Sequence, residues 1–100
     1  MDFIDKFNRR IELTQERWKH IEDIHPELKG VLKEMGETLE DPELIKTSVY
    51  DENVVLFYKH FKHIYNGKYV CVVVRLKEKL IATAYITDRI KEGEIVWKKT

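Results

Sequence analysis

The spacing of the apolar residues changes near residue 47 of this 100-residue chain, and that change restricts the fold more than any other feature. Before residue 47, apolar side chains recur every three or four positions, as on one helix face, at Leu28, Val31, Leu32, Met35 and Leu39. After it, apolar and polar residues alternate, as in strands, over residues 54–64, 69–77 and 80–87. Helices followed by strands predict an α+β fold, with two N-terminal helices packed on one face of a four- to five-stranded antiparallel sheet.

Capping residues and prolines indicate where the helices begin. Thr14 offers a hydroxyl cap to a helix over residues 15–24, and Pro26 favours the start of a second helix that runs to Leu39. The pair Asp41-Pro42 repeats the cap-then-proline signal and predicts one or two further helical turns.

The two ends of the chain have weaker patterns. We expect one domain over residues 1–100, with residues 1–10 loosely attached and a short helix over residues 1–8. Brief strands are expected at residues 10–13, 47–50 and 94–98.

The pair Asn66-Gly67 is the strongest signal for a β-hairpin. A two-residue turn there would pair Phe57 with Leu76, and the helix-facing side would then hold Phe57, Phe61, Val70, Val72, Val74, Ala82 and Ala84. Lys59 falls on that apolar side, where a buried ammonium needs a partner. The opposite side would carry Tyr58, His60, Lys62, Cys71, Arg75, Thr83 and Tyr85.

Several classes of protein are excluded by composition. No apolar run approaches the ~20 residues of a membrane-spanning helix, and the charged first residues do not resemble a signal peptide. Cys71 is the only cysteine, which excludes an internal disulfide framework and suits a reducing compartment. We therefore expect a cytoplasmic protein with no membrane partner.

The net charge of zero hides an uneven distribution. Residues 1–52 hold 8 basic and 14 acidic residues, whereas residues 53–100 hold 10 basic and 4 acidic ones. Residues 54–77 contain no acid, five bases and five aromatics. Bases interleaved with aromatics suit a ligand with phosphates and stacking bases, such as RNA. The alternative is that basic strands face the acidic helices of the same chain.

The histidines do not have the spacing of metal ligands. His20 and His25 are five residues apart on a helix, and His60 and His63 point to opposite faces of a strand. We therefore expect no metal and no cofactor. Histidine, lysine and hydroxyl side chains are nevertheless sufficient to cleave RNA, because the substrate supplies its own nucleophile, the 2′-hydroxyl.

Five short motifs carry a resemblance: Arg17-Trp18-Lys19-His20-Ile21, His25-Pro26-Glu27, Asp41-Pro42, Phe57-Tyr58-Lys59 and Thr83-Ala84-Tyr85-Ile86-Thr87-Asp88. Over roughly residues 11–97 the chain resembles small phage and mobile-element domains of the barnase–EndoU–colicin E5/D–RelE-like superfamily. The resemblance implies helices against a four-stranded antiparallel sheet and metal-independent RNA cleavage. It also implies functional weight for His20, His25, Lys59 and Thr83.

The combined prediction is a toxin-type endoribonuclease that cleaves RNA by 2′-hydroxyl transesterification, with a protein antitoxin as partner. The expected catalytic residues are His20, His25, Lys59 and Thr83. The expected substrate-binding residues are Arg17, Tyr58, Lys62, Arg75 and Tyr85. Two alternatives stay open, a non-catalytic nucleic-acid-binding domain and a protein-interaction module. An enzyme should bring two or more of the candidate residues to one open cleft.

Overall fold

The computed structural model describes residues 1–100 and contains two α-helices and seven strands. The helices are α1 (Gln15–Ile24) and α2 (Leu32–Glu40), with a single 3-10 turn at Pro26–Leu28 between them. The strands are β1 (Asp2–Ile4), β2 (Arg10–Glu12), β3 (Leu44–Thr47), β4 (Val54–Phe61), β5 (Lys68–Arg75), β6 (Leu80–Thr87) and β7 (Ile95–Lys98). Neither α1 nor α2 has the length and hydrophobicity of a membrane-spanning segment.

All seven strands belong to one curled sheet with the order β1-β2-β6-β5-β4-β3-β7. Strand β2 runs parallel to β6 through the pair Glu12 and Leu80, and every other pairing is antiparallel. The expectation of a four- to five-stranded antiparallel sheet is therefore wrong in strand number and in direction, although helices and sheet are both present. At the N-terminal edge of the sheet, β2 corresponds to the brief strand expected at residues 10–13, whereas the three residues of β1 are too short to show a period of two.

The N-terminal segment is part of the sheet, and its first residues form a strand instead of the expected helix. The Met1 carbonyl accepts a hydrogen bond from the Leu13 backbone N–H, at 2.8 Å, and the Met1 ammonium donates to the Leu13 carbonyl. Phe3 packs against the core beside Gly36, where a Cβ would lie 3.3 Å from the Phe3 ring. Gly36 therefore lets β1 approach α2 closely, and residues 1–10 are not loosely attached.

The first helix has the predicted bounds, whereas the second is interrupted. The Thr14 hydroxyl accepts a hydrogen bond from the Arg17 backbone N–H at 3.0 Å and caps α1. Gly30 has a φ of +82°, a left-handed conformation that ends the 3-10 turn and breaks the predicted continuous helix before α2 begins. Beyond α2, residues 44–47 form a strand and not a helical turn, because β4 and β7 satisfy their backbone groups on both sides.

The hairpin between β4 and β5 differs in register from the prediction but not in facing. Phe57 pairs with Val72 instead of Leu76, because residues 62–67 form a six-residue connection. The difference is four residues, and an even shift leaves every side chain on the same face. A bulge at Val73 and Val74 does move Ala82, which packs on the side away from the helices.

The two faces of the sheet are covered differently. On the helix-facing side, 16 buried residues form one core that includes Ile21, Leu28, Met35, Phe57 and Val72. On the opposite side, only Leu56, Tyr58, Cys71 and Val73 form a buried cluster. No helix covers this second face. Residues 88–94 cross it to join β6 to β7 at the far edge of the sheet, and we therefore call it the strap face.

Candidate functional site

Residues 88–94, the strap, are held on the strap face by backbone hydrogen bonds. The Lys91 backbone N–H donates to the Tyr58 hydroxyl oxygen at 3.1 Å, and the Lys46 ammonium donates to the Lys91 carbonyl at 2.9 Å. The Thr47 backbone N–H donates to the Glu94 carbonyl at 2.9 Å. Gly93 passes so close to β3 that a Cβ there would overlap the Thr47 carbonyl oxygen. These contacts fix the strap against the sheet.

An open cleft of about 450 Å³ lies between the strap, the loop of residues 48–53 and the sheet. We call it the strap cleft. Its apolar wall consists of Val54, Leu56 and Val73. Its polar side chains are those of Ser48, Thr83, Tyr85, Lys91 and Glu92. Pockets that bind small ligands are commonly about 300–1,000 Å³, with apolar walls and a few placed polar groups. The strap cleft has that size and composition.

Two tyrosines and the cysteine meet beneath the strap cleft. Burial is the main reason that the pKa of Tyr58 and of Tyr85 is raised, and it raises the pKa of Cys71 to about 12. The Tyr85 hydroxyl is buried near the Tyr58 hydroxyl and the Cys71 thiol but has no hydrogen-bond partner of good geometry. All three groups therefore stay neutral at ordinary pH, and the Cys71 thiol is not a reactive nucleophile.

His25 borders this site from the edge of the sheet. It ends α1 and precedes Pro26, so its backbone is not helical and its ring leaves the helix direction. The ring centroids of His25 and Tyr85 are 6.1 Å apart with an interplanar angle of 36°. The His25 Nδ1 atom lies 3.3 Å from a carboxylate oxygen of Glu27. The Lys91 ammonium lies 5.3 Å from the Tyr85 ring centroid.

His20 and Arg17 lie in a different place. Both are exposed on α1 and share a polar depression with Thr14 and Glu16, which contains no apolar side chain. The structure therefore brings Arg17 and His20 together, but it does not bring His20 into the strap cleft with Thr83.

Lys59 lies on the helix-facing side, as its register position predicted, and has a structural partner. Its ammonium donates to the Asp41 carbonyl at 2.9 Å and to the Asp41 carboxylate at 3.0 Å, at the C-terminal end of α2. Hydrogen bonds from Lys59 and then from Lys99 lower the pKa of the Asp41 carboxyl. A cation near a helix C-terminus is stabilising. This contact therefore explains why a lysine lies on the apolar side of the sheet, and no bound ligand is needed to explain it. Lys59 does not meet His20 or His25.

The remaining expected binding residues are also spread over the surface. Lys62 is exposed in the connection between β4 and β5. Arg75 pairs with Glu78 at 2.7 Å, and this hydrogen bond raises the pKa of the Arg75 guanidinium. The Tyr58 side chain is fully buried, and its hydroxyl serves the strap. Of the expected site residues, Thr83 and Tyr85 line the strap cleft and His25 borders it.

Sequence reasoning missed Tyr50, Lys91 and Glu92, which all line the strap cleft. Lys91 and Glu92 enter the cleft because the chain crosses from β6 to the far edge of the sheet, and nothing in the local sequence indicates that path. No group of three His, Cys, Asp or Glu side chains is arranged to hold a metal ion.

Comparisons with known proteins give no neighbour: no family model, curated protein or solved structure matches this chain.

Proposed function

We propose that the protein is a metal-independent endoribonuclease that cleaves single-stranded RNA in the strap cleft. The observation that supports this most directly is the composition of the cleft: a hydroxyl, an ammonium and a carboxylate beside an apolar wall, with an imidazole at its border. Such a set suits the chemistry of RNA cleavage, because the reaction needs proton transfer and charge stabilisation and takes its nucleophile from the substrate.

The proposed reaction is an intramolecular transesterification. The 2′-hydroxyl loses its proton to a base, and its oxygen attacks the adjacent phosphorus. The bond from phosphorus to the 5′-oxygen breaks, and the leaving oxygen takes a proton from an acid. The products carry a 2′,3′-cyclic phosphate and a free 5′-hydroxyl, so no atom from water enters the strand.

The roles follow from the position of each side chain. His25 and Glu92 are the groups at the cleft that accept and release protons. The Lys91 ammonium stabilises charge that develops on the phosphate oxygens, and the Thr83 hydroxyl orients the phosphate. Arg17 and His20, in their separate depression, bind a phosphate farther along the strand. Lys59 and Arg75 are occupied by carboxylates, and we assign them no part in the reaction.

Regulation by a protein antitoxin, the partner expected from the sequence analysis, belongs to the same proposal. An antitoxin would block the strap cleft, because the cleft and the strap lie on the face that no helix covers.

A non-catalytic nucleic-acid-binding domain is the second candidate. The observation in its favour is that His20, Lys59 and Thr83 lie in three different places, so the complete set named by the family resemblance does not meet at one cleft.

The decisive experiment is incubation of end-labelled RNA with the protein in EDTA, followed by analysis of the product ends. We expect 2′,3′-cyclic phosphate ends from the wild-type protein. His25→Ala should lose about 10²–10⁴-fold in rate, the usual contribution of one acid or base. His63→Ala is the matched control, because His63 is exposed and pairs with Glu34 away from the cleft. Binding without any cleavage would favour the second candidate.

A further inference from the structure

The loop of residues 48–53 contributes Ser48, Val49 and Tyr50 to the lining of the strap cleft, and two of these are exposed large apolar side chains. Tyr50 is 94% exposed and Val49 is 61% exposed. Both residues line the strap cleft together with Thr83 and Lys91. The Tyr50 side chain is the most exposed of the large hydrophobic residues in the chain.

The loop keeps its shape without help from the Tyr50 ring. The Tyr50 backbone N–H donates to the Ser48 hydroxyl at 3.2 Å, and the Asn53 backbone N–H donates to the Asp51 carboxylate at 2.9 Å. The Asn53 side chain bonds to Glu78 and to the Lys77 backbone N–H, which ties the loop to the turn after β5. Backbone groups and the polar side chains of Ser48, Asp51 and Asn53 therefore hold this loop, and the Tyr50 ring is left free in water.

We propose that Tyr50 stacks on an unpaired RNA base and thereby makes the strap cleft a binding site for single-stranded nucleotides. This inference rests on the proposed function and adds a recognition element to it. An aromatic ring gains about 1–3 kcal/mol from stacking on a base, and it accepts every base because each has a π-face.

The chemistry around Tyr50 favours a nucleotide over a protein segment. A nucleotide needs a flat apolar contact for its base and a cation or hydroxyl for its phosphate. The strap cleft offers Tyr50 and Val49 for a base, and Lys91 and Thr83 for a phosphate, with the Glu92 carboxylate also in its lining. Its volume of about 450 Å³ is within the range of pockets that hold small ligands.

The test is binding of a fluorescent 2′-O-methyl oligouridylate, in which the attacking hydroxyl is blocked, measured by anisotropy. Tyr50→Ala should weaken binding about 5–150-fold, the range that corresponds to 1–3 kcal/mol. Tyr50→Trp should bind at least as tightly as the wild-type protein. Tyr65→Ala is the matched control and should bind normally, because Tyr65 is also an exposed tyrosine, at 61%, but lies in the connection between β4 and β5.

An abasic oligonucleotide of the same length separates stacking from charge. The wild-type protein and Tyr50→Ala should bind this ligand equally. The inference is overturned if Tyr50→Ala loses the same affinity for the abasic ligand as for the oligouridylate. It is also overturned if Tyr65→Ala loses as much affinity as Tyr50→Ala, or if the wild-type protein does not bind the oligouridylate. Unchanged binding of the oligouridylate by Tyr50→Ala would likewise overturn the inference.

The two proposals fail in different ways. Base-dependent binding through Tyr50 without cleavage of ordinary RNA refutes the nuclease and keeps the stacking site. Cleavage with unchanged binding in Tyr50→Ala refutes the stacking site and keeps the nuclease.

Discussion

The two faces of the central sheet differ in how they are covered and in how many side chains they bury, although the same strands form both. On the helix-facing side, 16 buried apolar residues form one core, and the Lys59 ammonium on that side pairs with the Asp41 carboxylate. On the strap face, two of the four buried residues carry a hydroxyl or a thiol, and an open cleft adjoins them. One face therefore supplies most of the buried core, whereas the other keeps an open cleft.

A first test of this comparison is a large truncation on the helix-facing side. Phe57 is fully buried in the core, so Phe57→Ala should lower the free energy of unfolding by about 3–5 kcal/mol. Chemical denaturation would measure the loss. A loss below about 1 kcal/mol would show that this side is not the main source of stability.

Two glycines provide the next comparison. Gly93 and Gly30 both have positive φ values, +156° and +82°. A Cβ at position 93 would overlap the Thr47 carbonyl oxygen, whereas a Cβ at position 30 has no atom within 4 Å. Gly30→Ala should therefore cost only the conformational term, about 1–2 kcal/mol, and Gly93→Ala should cost more and displace the strap.

Thermal unfolding gives both costs, and proteolysis within residues 88–94 reports on the strap. Equal stability of the two variants with an unchanged strap would contradict the close approach of strap and β3.

Adjacent valines on β5 compare the two faces most closely. Val72 is fully buried on the helix-facing side, while Val73 is 9% exposed and lines the strap cleft. Val72→Ala removes two methyl groups and leaves a cavity, so we expect a loss of about 2 kcal/mol. Val73→Ala should cost clearly less, because its side chain already adjoins the open cleft. Equal losses by urea denaturation would remove the distinction between the faces.

Acid should weaken the helix-facing side slightly through Asp41. Because Lys59 and Lys99 lower the pKa of this carboxyl, Asp41 stabilises the folded state above its ordinary pKa of 3.8. That contribution is lost as the pH falls through the lower folded-state value. The carboxylate is exposed, so the effect should not exceed about 1 kcal/mol. The measurement is the free energy of unfolding between pH 5 and pH 2. In Asp41→Asn, the part of its pH dependence that comes from the Asp41 carboxyl should disappear.

The parts of this fold that local signals determine were predictable from sequence. Helix α1 has the predicted bounds because Thr14 and Pro26 act on neighbouring backbone groups. Tyr58, Cys71, Thr83 and Tyr85 lie on the predicted face because the error in register is an even number of residues.

What sequence reasoning missed depends on distant contacts. The three residues of β1 become a strand only through β2, and Phe3 becomes a packed residue only through Gly36. Lys91 and Glu92 line a cleft only because β7 pairs beyond β3. Thr83 and Lys59, which the family resemblance places in one site, lie on opposite faces of the sheet.

The most direct test of the account compares two lysines, one on each face, in cleavage of labelled RNA in EDTA. Lys91→Gln removes the ammonium from the strap cleft, and Lys59→Met removes the ammonium that binds Asp41 while it keeps most of the side-chain packing. If RNA is cleaved on the strap face, the kcat/KM of Lys91→Gln should fall by about 10²–10³-fold. The kcat/KM of Lys59→Met should stay within a few-fold of the wild-type value. A large loss in folded Lys59→Met with normal cleavage by Lys91→Gln would place the reaction on the helix-facing side and contradict the account.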